Sequence, residues 1–152
     1  MPKTILCLDP GITTGWALIT TRGRIVDYGQ FKAVPLMSGP ETGDQDDDRH
    51  KFLQQLSGLK IPSVVVMEDF IGSGRRDPHM NNTMKLVGYF LALAHNRFIP
   101  TQLQVPQARR PFLVQAEKAL SLSKTGAKRH AVDALAHGFK YLHDKQLKNA
   151  KA

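Results

Sequence analysis

The 152-residue chain is 41% hydrophobic and 22% charged, an ordinary composition for one globular domain with its own core. Its single cysteine excludes a disulfide scaffold and a cysteine-rich zinc site, and its longest apolar run, Leu86–Ala94, is too short to span a membrane. The net charge of +8 is uneven, with ten basic and three acidic side chains in residues 107–152, a field suited to a polyanion or, equally, to a solvated basic helix end.

No repeat or long linker divides the chain, so one domain is expected over 1–152, ending in a basic tail at about 144–152. Thr4–Asp9 reads as a strand that stops at Asp-Pro-Gly; Asp9 also interrupts any signal-peptide core, so a cytoplasmic protein is expected. Gly15–Thr20 and Arg24–Lys32, joined by Thr21-Arg22-Gly23, read as an antiparallel hairpin. Ala33–Gly43 holds Pro35, Gly39, Pro40 and Gly43 and is expected to be loop. Acidic residues open a helix over Asp46–Leu56, whose apolar face is Phe52, Leu53 and Leu56. Ser63–Glu68 shows no polar alternation, the pattern of a central strand buried on both faces.

A Gly/Arg-rich loop, Ile71–His79, precedes a helix over Asn81–Asn96. Thr101–Val105 is a short strand closed by Pro106, and helices near Ala108–Leu120 and Ala127–Lys148 finish the chain. A hairpin-led sheet followed by β/α crossovers predicts an α/β fold: a mixed sheet of about five strands with helices on both faces, the order of elements in the ribonuclease H-like fold.

Three carboxylates stand where chemistry could use them. Asp9 and Glu68 each close a strand, and ligands of open α/β sheets gather at the carboxyl ends of strands. If the two strands are parallel neighbours, the acids meet at one edge. Asp133 lies in the last helix, on one stripe with His130 and His137, among small and apolar residues. A carboxylate there needs compensation, either a metal ion or a buried salt bridge to Arg or Lys. The bland alternatives are a turn-forming Asp9, a solvated Glu68, and core or surface histidines. Three acids at three element ends beside a basic segment fit a metal-dependent phosphodiesterase.

The same residues resemble the RuvC family of Holliday-junction resolvases. The resemblance rests on Ile5-Leu6-Cys7-Leu8-Asp9-Pro10-Gly11-Ile12-Thr13-Thr14-Gly15-Trp16-Ala17, on Val65-Val66-Met67-Glu68, and on His130-Ala131-Val132-Asp133-Ala134-Leu135-Ala136. It extends to about residue 143 and implies a homodimeric endonuclease that nicks four-way DNA junctions symmetrically with two Mg²⁺ ions per site, Mn²⁺ being a possible substitute. Asp9, Glu68 and Asp133 match the family's metal-binding acids. His130 falls where many members carry a fourth carboxylate and others a histidine, so it is read as a catalytic residue, either a direct ligand of the second metal ion or a group that positions water and phosphate. The shorter stretch before the last helix suits a phage-type member. Hard divalent ions prefer carboxylate and water, activate a nucleophile and neutralise a departing oxygen, which explains acids rather than thiols.

Beyond Glu68, Phe70 resembles the family's stacking aromatic, and Arg75 and Arg76 beside flexible glycines suit phosphate contacts. Lys118, Lys124, Lys128 and Arg129 could extend that phosphate track; ordinary surface roles serve each lysine as well. The helix over 81–96 is apolar almost all round, with Gly88 and Ala92 spaced for close approach, so a twofold dimer across it is expected. Rival readings are another ribonuclease H-like nuclease acting on other branched DNA, a non-catalytic nucleic-acid-binding module whose acids form only salt bridges, and a sugar-kinase-like ATP-binding protein. The last normally needs two such domains, for which the chain is too short.

Overall fold

The structure, a computed structural model, describes residues 3–33, 46–57, 61–69, 78–121 and 128–151. Strand β1 (Thr4–Asp9) pairs antiparallel with β2 (Thr13–Thr20), which pairs antiparallel with β3 (Ile25–Lys32). The β2–β3 turn needs a left-handed residue, and Gly23 supplies it at φ +85°. Helix α1 (Asp46–Ser57) leads to β4 (Val64–Glu68), and α2 (Pro78–Asn96) to β5 (Thr101–Gln104). β4 runs parallel to β1 and β5 parallel to β4, so the sheet order is β3-β2-β1-β4-β5. A 3₁₀ helix (Pro106–Phe112), α3 (Leu113–Leu120) and α4 (Arg129–Lys151) follow.

Strand parity divides the core. Leu6, Leu8, Val65 and Met67 point to one face, where α1 and α2 bring Phe52, Leu86 and Phe90. Phe52 is the hub there, with ring centroids 5.2 Å from Phe31 and 5.6 Å from Phe90. Ile5, Cys7, Val64 and Val66 point to the other face, against Ala116 and Leu120 of α3 and Ala131, Leu135 and Phe139 of α4. The mixed five-stranded sheet with helices on both faces is the architecture expected from the order of elements.

The boundaries differ in instructive places. α2 starts at Pro78, because proline is tolerated in a first helical turn where its missing N–H has no partner to lose. The helix expected near Ala108–Leu120 is α-helical only from Leu113. Pro111 lies within the preceding seven residues, and without an N–H it cannot join an α-helical ladder, which leaves the tighter 3₁₀ form. The last helix, expected to about Lys148, runs to Lys151, so the basic tail from about 144 is helical as far as α4 extends. Most of the two expected loops, 34–43 and 71–77, lies outside the described residues. No helix among the described residues is long and apolar enough to cross a membrane.

Candidate active site

Parity also aims the acids. Counting by twos from Ile5 and Cys7 puts Asp9 on the α4 face of β1, and counting from Val64 and Val66 puts Glu68 on the same face of β4. Leu8 is in register with Met67 in the parallel pair, so the two carboxylates sit level, side by side, at the carboxyl edge.

α4 arrives at this edge because β2 makes room for it. Gly15 is the register partner of Asp9, and a Cβ on it would lie 1.9 Å from the carbonyl oxygen of His130. The helix backbone therefore rests directly on β2. Gln30, opposite Gly15 on β3, accepts a hydrogen bond at 3.3 Å from the His130 backbone N–H, satisfying an otherwise orphan donor of the helix start. His130 Nδ1 then stands 3.4 Å from Asp9 Oδ2, and Asp133 follows one turn later. Asp9, His130 and Asp133 each offer a ligand atom, and these atoms all lie within 4.8 Å of one another.

Glu68 is held from two other sides. Its Oε1 accepts from Arg109 Nη1 and lies 3.1 Å from Nε2 of His137. His137 is fully buried, and its Nδ1 is 2.8 Å from Oε1 of Gln104, the β5 residue paired with Glu68. Arg109 comes from the 3₁₀ helix. Its Nη1 also donates to the Pro106 carbonyl at 3.2 Å, while its Nε approaches Asp133 Oδ1 at 3.5 Å. That Nε is buried and forms no hydrogen bond.

Burial, reinforced by the negative charges of Glu68 and Asp133, pushes the Asp9 carboxyl up to about 7, against the opposing hydrogen bond from His130. Burial would raise Glu68 as well, but hydrogen bonds from His137 and Asp9 and the Arg109 charge hold it below the ordinary carboxylate range. Burial raises Asp133, opposed by Arg109. The hydrogen bond to Asp9 raises His130 despite its partial burial. The cluster thus holds more acid than its cations compensate. Carboxylate oxygens and an imidazole within reach of one point suit a hard divalent cation, and such an ion would relieve the raised Asp9.

The four acid and histidine residues read from the sequence, Asp9, Glu68, His130 and Asp133, converge, although Glu68 belongs to the Arg109 and His137 side of the cluster. The alternative partner for Asp133, a basic side chain, is present too. Lys128, two residues before His130, holds its Nζ 5.3 Å from the Tyr28 ring centroid on β3, and exposed Arg129 is near enough for its charge to act on His130 and Asp133. Lys118 is exposed on α3. Phe70, Arg75, Arg76 and Lys124 lie outside the described residues. Arg109 and Gln104 were not visible as site residues. The usable signal was Pro106 and Pro111 bracketing a cation just past the end of the strand beside Glu68.

No model of a known protein family matches the sequence, and no curated protein matches it. Solved structures do. Thermus thermophilus RuvC in complex with a Holliday-junction substrate is similar at TM-score 0.69 and 18% identity, over 95% of this chain and 96% of that one. T. thermophilus RuvC is similar in a second structure at TM-score 0.67 and 16% identity, over 94% and 96% of the two chains. The yeast mitochondrial Holliday-junction resolvase Ydc2 is similar at TM-score 0.54 and 18% identity, over 97% of this chain and 81% of that one. At these identities the likeness establishes the fold, the one expected from the sequence motifs.

Proposed function

We propose that this protein is a metal-dependent endodeoxyribonuclease that resolves four-way DNA junctions by paired symmetric nicks. One observation carries the reading: Asp9, His130 and Asp133 converge, with Glu68 alongside, at the carboxyl edge of a RuvC-like fold. Asp9, Asp133 and His130 would hold one divalent ion, with Asp9 and Glu68 facing a second. Bound Mg²⁺ would supply water activation and charge neutralisation at the phosphodiester.

The chain's own groups have separate tasks. His130 orients Asp9 through its Oδ2, and His137 fixes Glu68 from the core. Lys128 and Arg129, at the start of α4, would draw phosphates toward the acids, with Lys118 further along the track. Phe70, Arg75, Arg76 and Lys124 are proposed as junction contacts on the sequence pattern. Two opposed cuts need two sites, and a homodimer through α2 would provide them: Met84, Gly88 and Ala92 are exposed along one helix face, and Phe98 is 92% exposed just beyond the helix. Action in the cytoplasm of a bacterial or phage-infected cell fits these features.

Arg109 favours a second reading. A guanidinium paired with Glu68 and Asp133 is what a non-catalytic binding module would show. The two readings separate on a synthetic mobile four-way junction and its matching linear duplex, each with and without Mg²⁺, using wild type and Asp9→Asn. Paired nicks in the junction alone, lost with Asp9→Asn or EDTA while binding persists, are expected. Binding without cutting under every condition would support the module. Equal cutting of the duplex would keep the metal chemistry and remove the junction.

A further inference from the structure

We propose that Arg109 is a displaceable internal cation that occupies the Glu68 side of the acid cluster until a divalent ion takes its place, so that the two halves of the site fill in order. The inference rests on the metal-dependent reading above.

Arg109 divides the cluster unequally. Asp9, His130 and Asp133 already present ligand atoms within 4.8 Å of one another, and neither Asp9 nor His130 contacts the guanidinium. Glu68 does, through the Oε1 that His137 also contacts. An ion can therefore reach the first three residues without moving Arg109 far, whereas Glu68 can give its Oε1 to an ion only when Arg109 lets go. Two positive charges competing for one carboxylate repel each other.

The seat is built for release. The guanidinium comes from a 3₁₀ turn rather than a long helix, and its side chain remains 29% exposed, so it has a way out to solvent. Its attachment is incomplete, because the buried Nε makes no hydrogen bond and meets Asp133 only at 3.5 Å. An arginine in a permanent structural pair satisfies its donors more fully, typically with a two-pronged grip on one carboxylate. Here Nη1 is shared between Glu68 and the Pro106 carbonyl, and Asp133 receives only the 3.5 Å approach of Nε.

The test is calorimetric titration of Mn²⁺ into the DNA-free protein, comparing wild type with Arg109→Met and Arg110→Met. Arg110 is the exposed next residue and controls for the loss of one positive charge. Arg109→Met is expected to tighten the weaker Mn²⁺ event on the order of tenfold, leaving the tighter one within about twofold, and Arg110→Met to change neither appreciably. A second readout is thermal unfolding without metal: Arg109→Met should melt lower than wild type, and saturating Mn²⁺ should close the gap. Equal Mn²⁺ binding by wild type and Arg109→Met, or equal tightening by both variants, would overturn the internal cation and leave the nuclease reading intact. Absence of saturable Mn²⁺ binding in all three proteins would remove both.

Discussion

Asp9 is the residue at which folding and function pull apart. Its carboxyl is raised from 3.8 to about 7, first by burial and then by its acidic neighbours. A raised carboxyl favours the protonated folded state, so its ionised form costs stability. Below about pH 4 both folded and unfolded chains hold the proton, and the cost is absent. It grows as pH rises toward 7 and is complete above that. Asparagine keeps the shape and removes the charge. Asp9→Asn is therefore expected to raise the metal-free melting temperature at pH 8 by at least about 4 °C, as each kcal/mol is worth roughly 2–4 °C in a chain of this size. The gain should shrink as pH is lowered toward 4. Differential scanning at pH 4.5, 6 and 8 measures this, and a variant less stable than wild type at pH 8 would contradict it. The same substitution abolishes cutting in the proposed chemistry, so stability and activity should move in opposite directions.

At the scale of elements, the site depends on how closely α4 lies on β2. Gly15→Ala places a methyl group where the His130 carbonyl now sits, and that carbonyl is backbone, which cannot rotate aside. Overpacking of this kind costs about 1–3 kcal/mol, and here the relief available is a shift of the helix start that carries His130 and Asp133. Loss of stability together with a tenfold or greater drop in Mn²⁺ affinity is expected, roughly the factor that a small misplacement of ligands brings. Unchanged Mn²⁺ affinity would show that the helix start can yield without moving its ligands. Gly88 on α2 gives the contrasting case. Among the described residues nothing lies within 4 Å of a Cβ placed there, so Gly88→Arg should fold normally yet block close approach of a second α2. Light scattering is expected to report a dimer for wild type and a monomer for the variant; a wild-type monomer would dispose of the α2 interface.

Asp9 and Glu68 were legible because strand ends and turn residues are local signals, and the parallel pairing of their strands follows from the order of elements. The His130–Asp133 spacing was legible from helical periodicity. Arg109 was not. Its stretch, bracketed by Pro106 and Pro111, carries no local mark of a partner, and only tertiary packing brings it 41 residues back to Glu68. His137 lay on the right stripe, but its partner Gln104 belongs to a strand whose exposed pattern gives no hint of a buried amide.

For the whole molecule the question is how an acid cluster attracts a polyanion. The net charge of +8 is concentrated after residue 106, and Lys128 and Arg129 directly precede His130 in the chain, at the site end of the last helix rather than at the far end of the sheet. Arg22 and Arg24 are the useful contrast, since β2 carries the chain from Gly15 near the site to a turn at the opposite edge. Each phosphate contact releases counterions and contributes about −0.9 to the slope of log affinity against log salt on duplex arms. Lys128→Gln with Arg129→Gln should make that slope less negative by about 2, and should weaken junction and duplex binding together, because phosphate contacts carry no structural preference of their own. Arg22→Gln with Arg24→Gln should leave it within about 0.5 of wild type. Fluorescence anisotropy over a salt series, with Ca²⁺ in place of Mg²⁺ to suppress cutting, reads both. Equal losses from the two pairs would mean that the positive field acts from the whole surface, and that the start of α4 has no special part in bringing phosphate to Asp9.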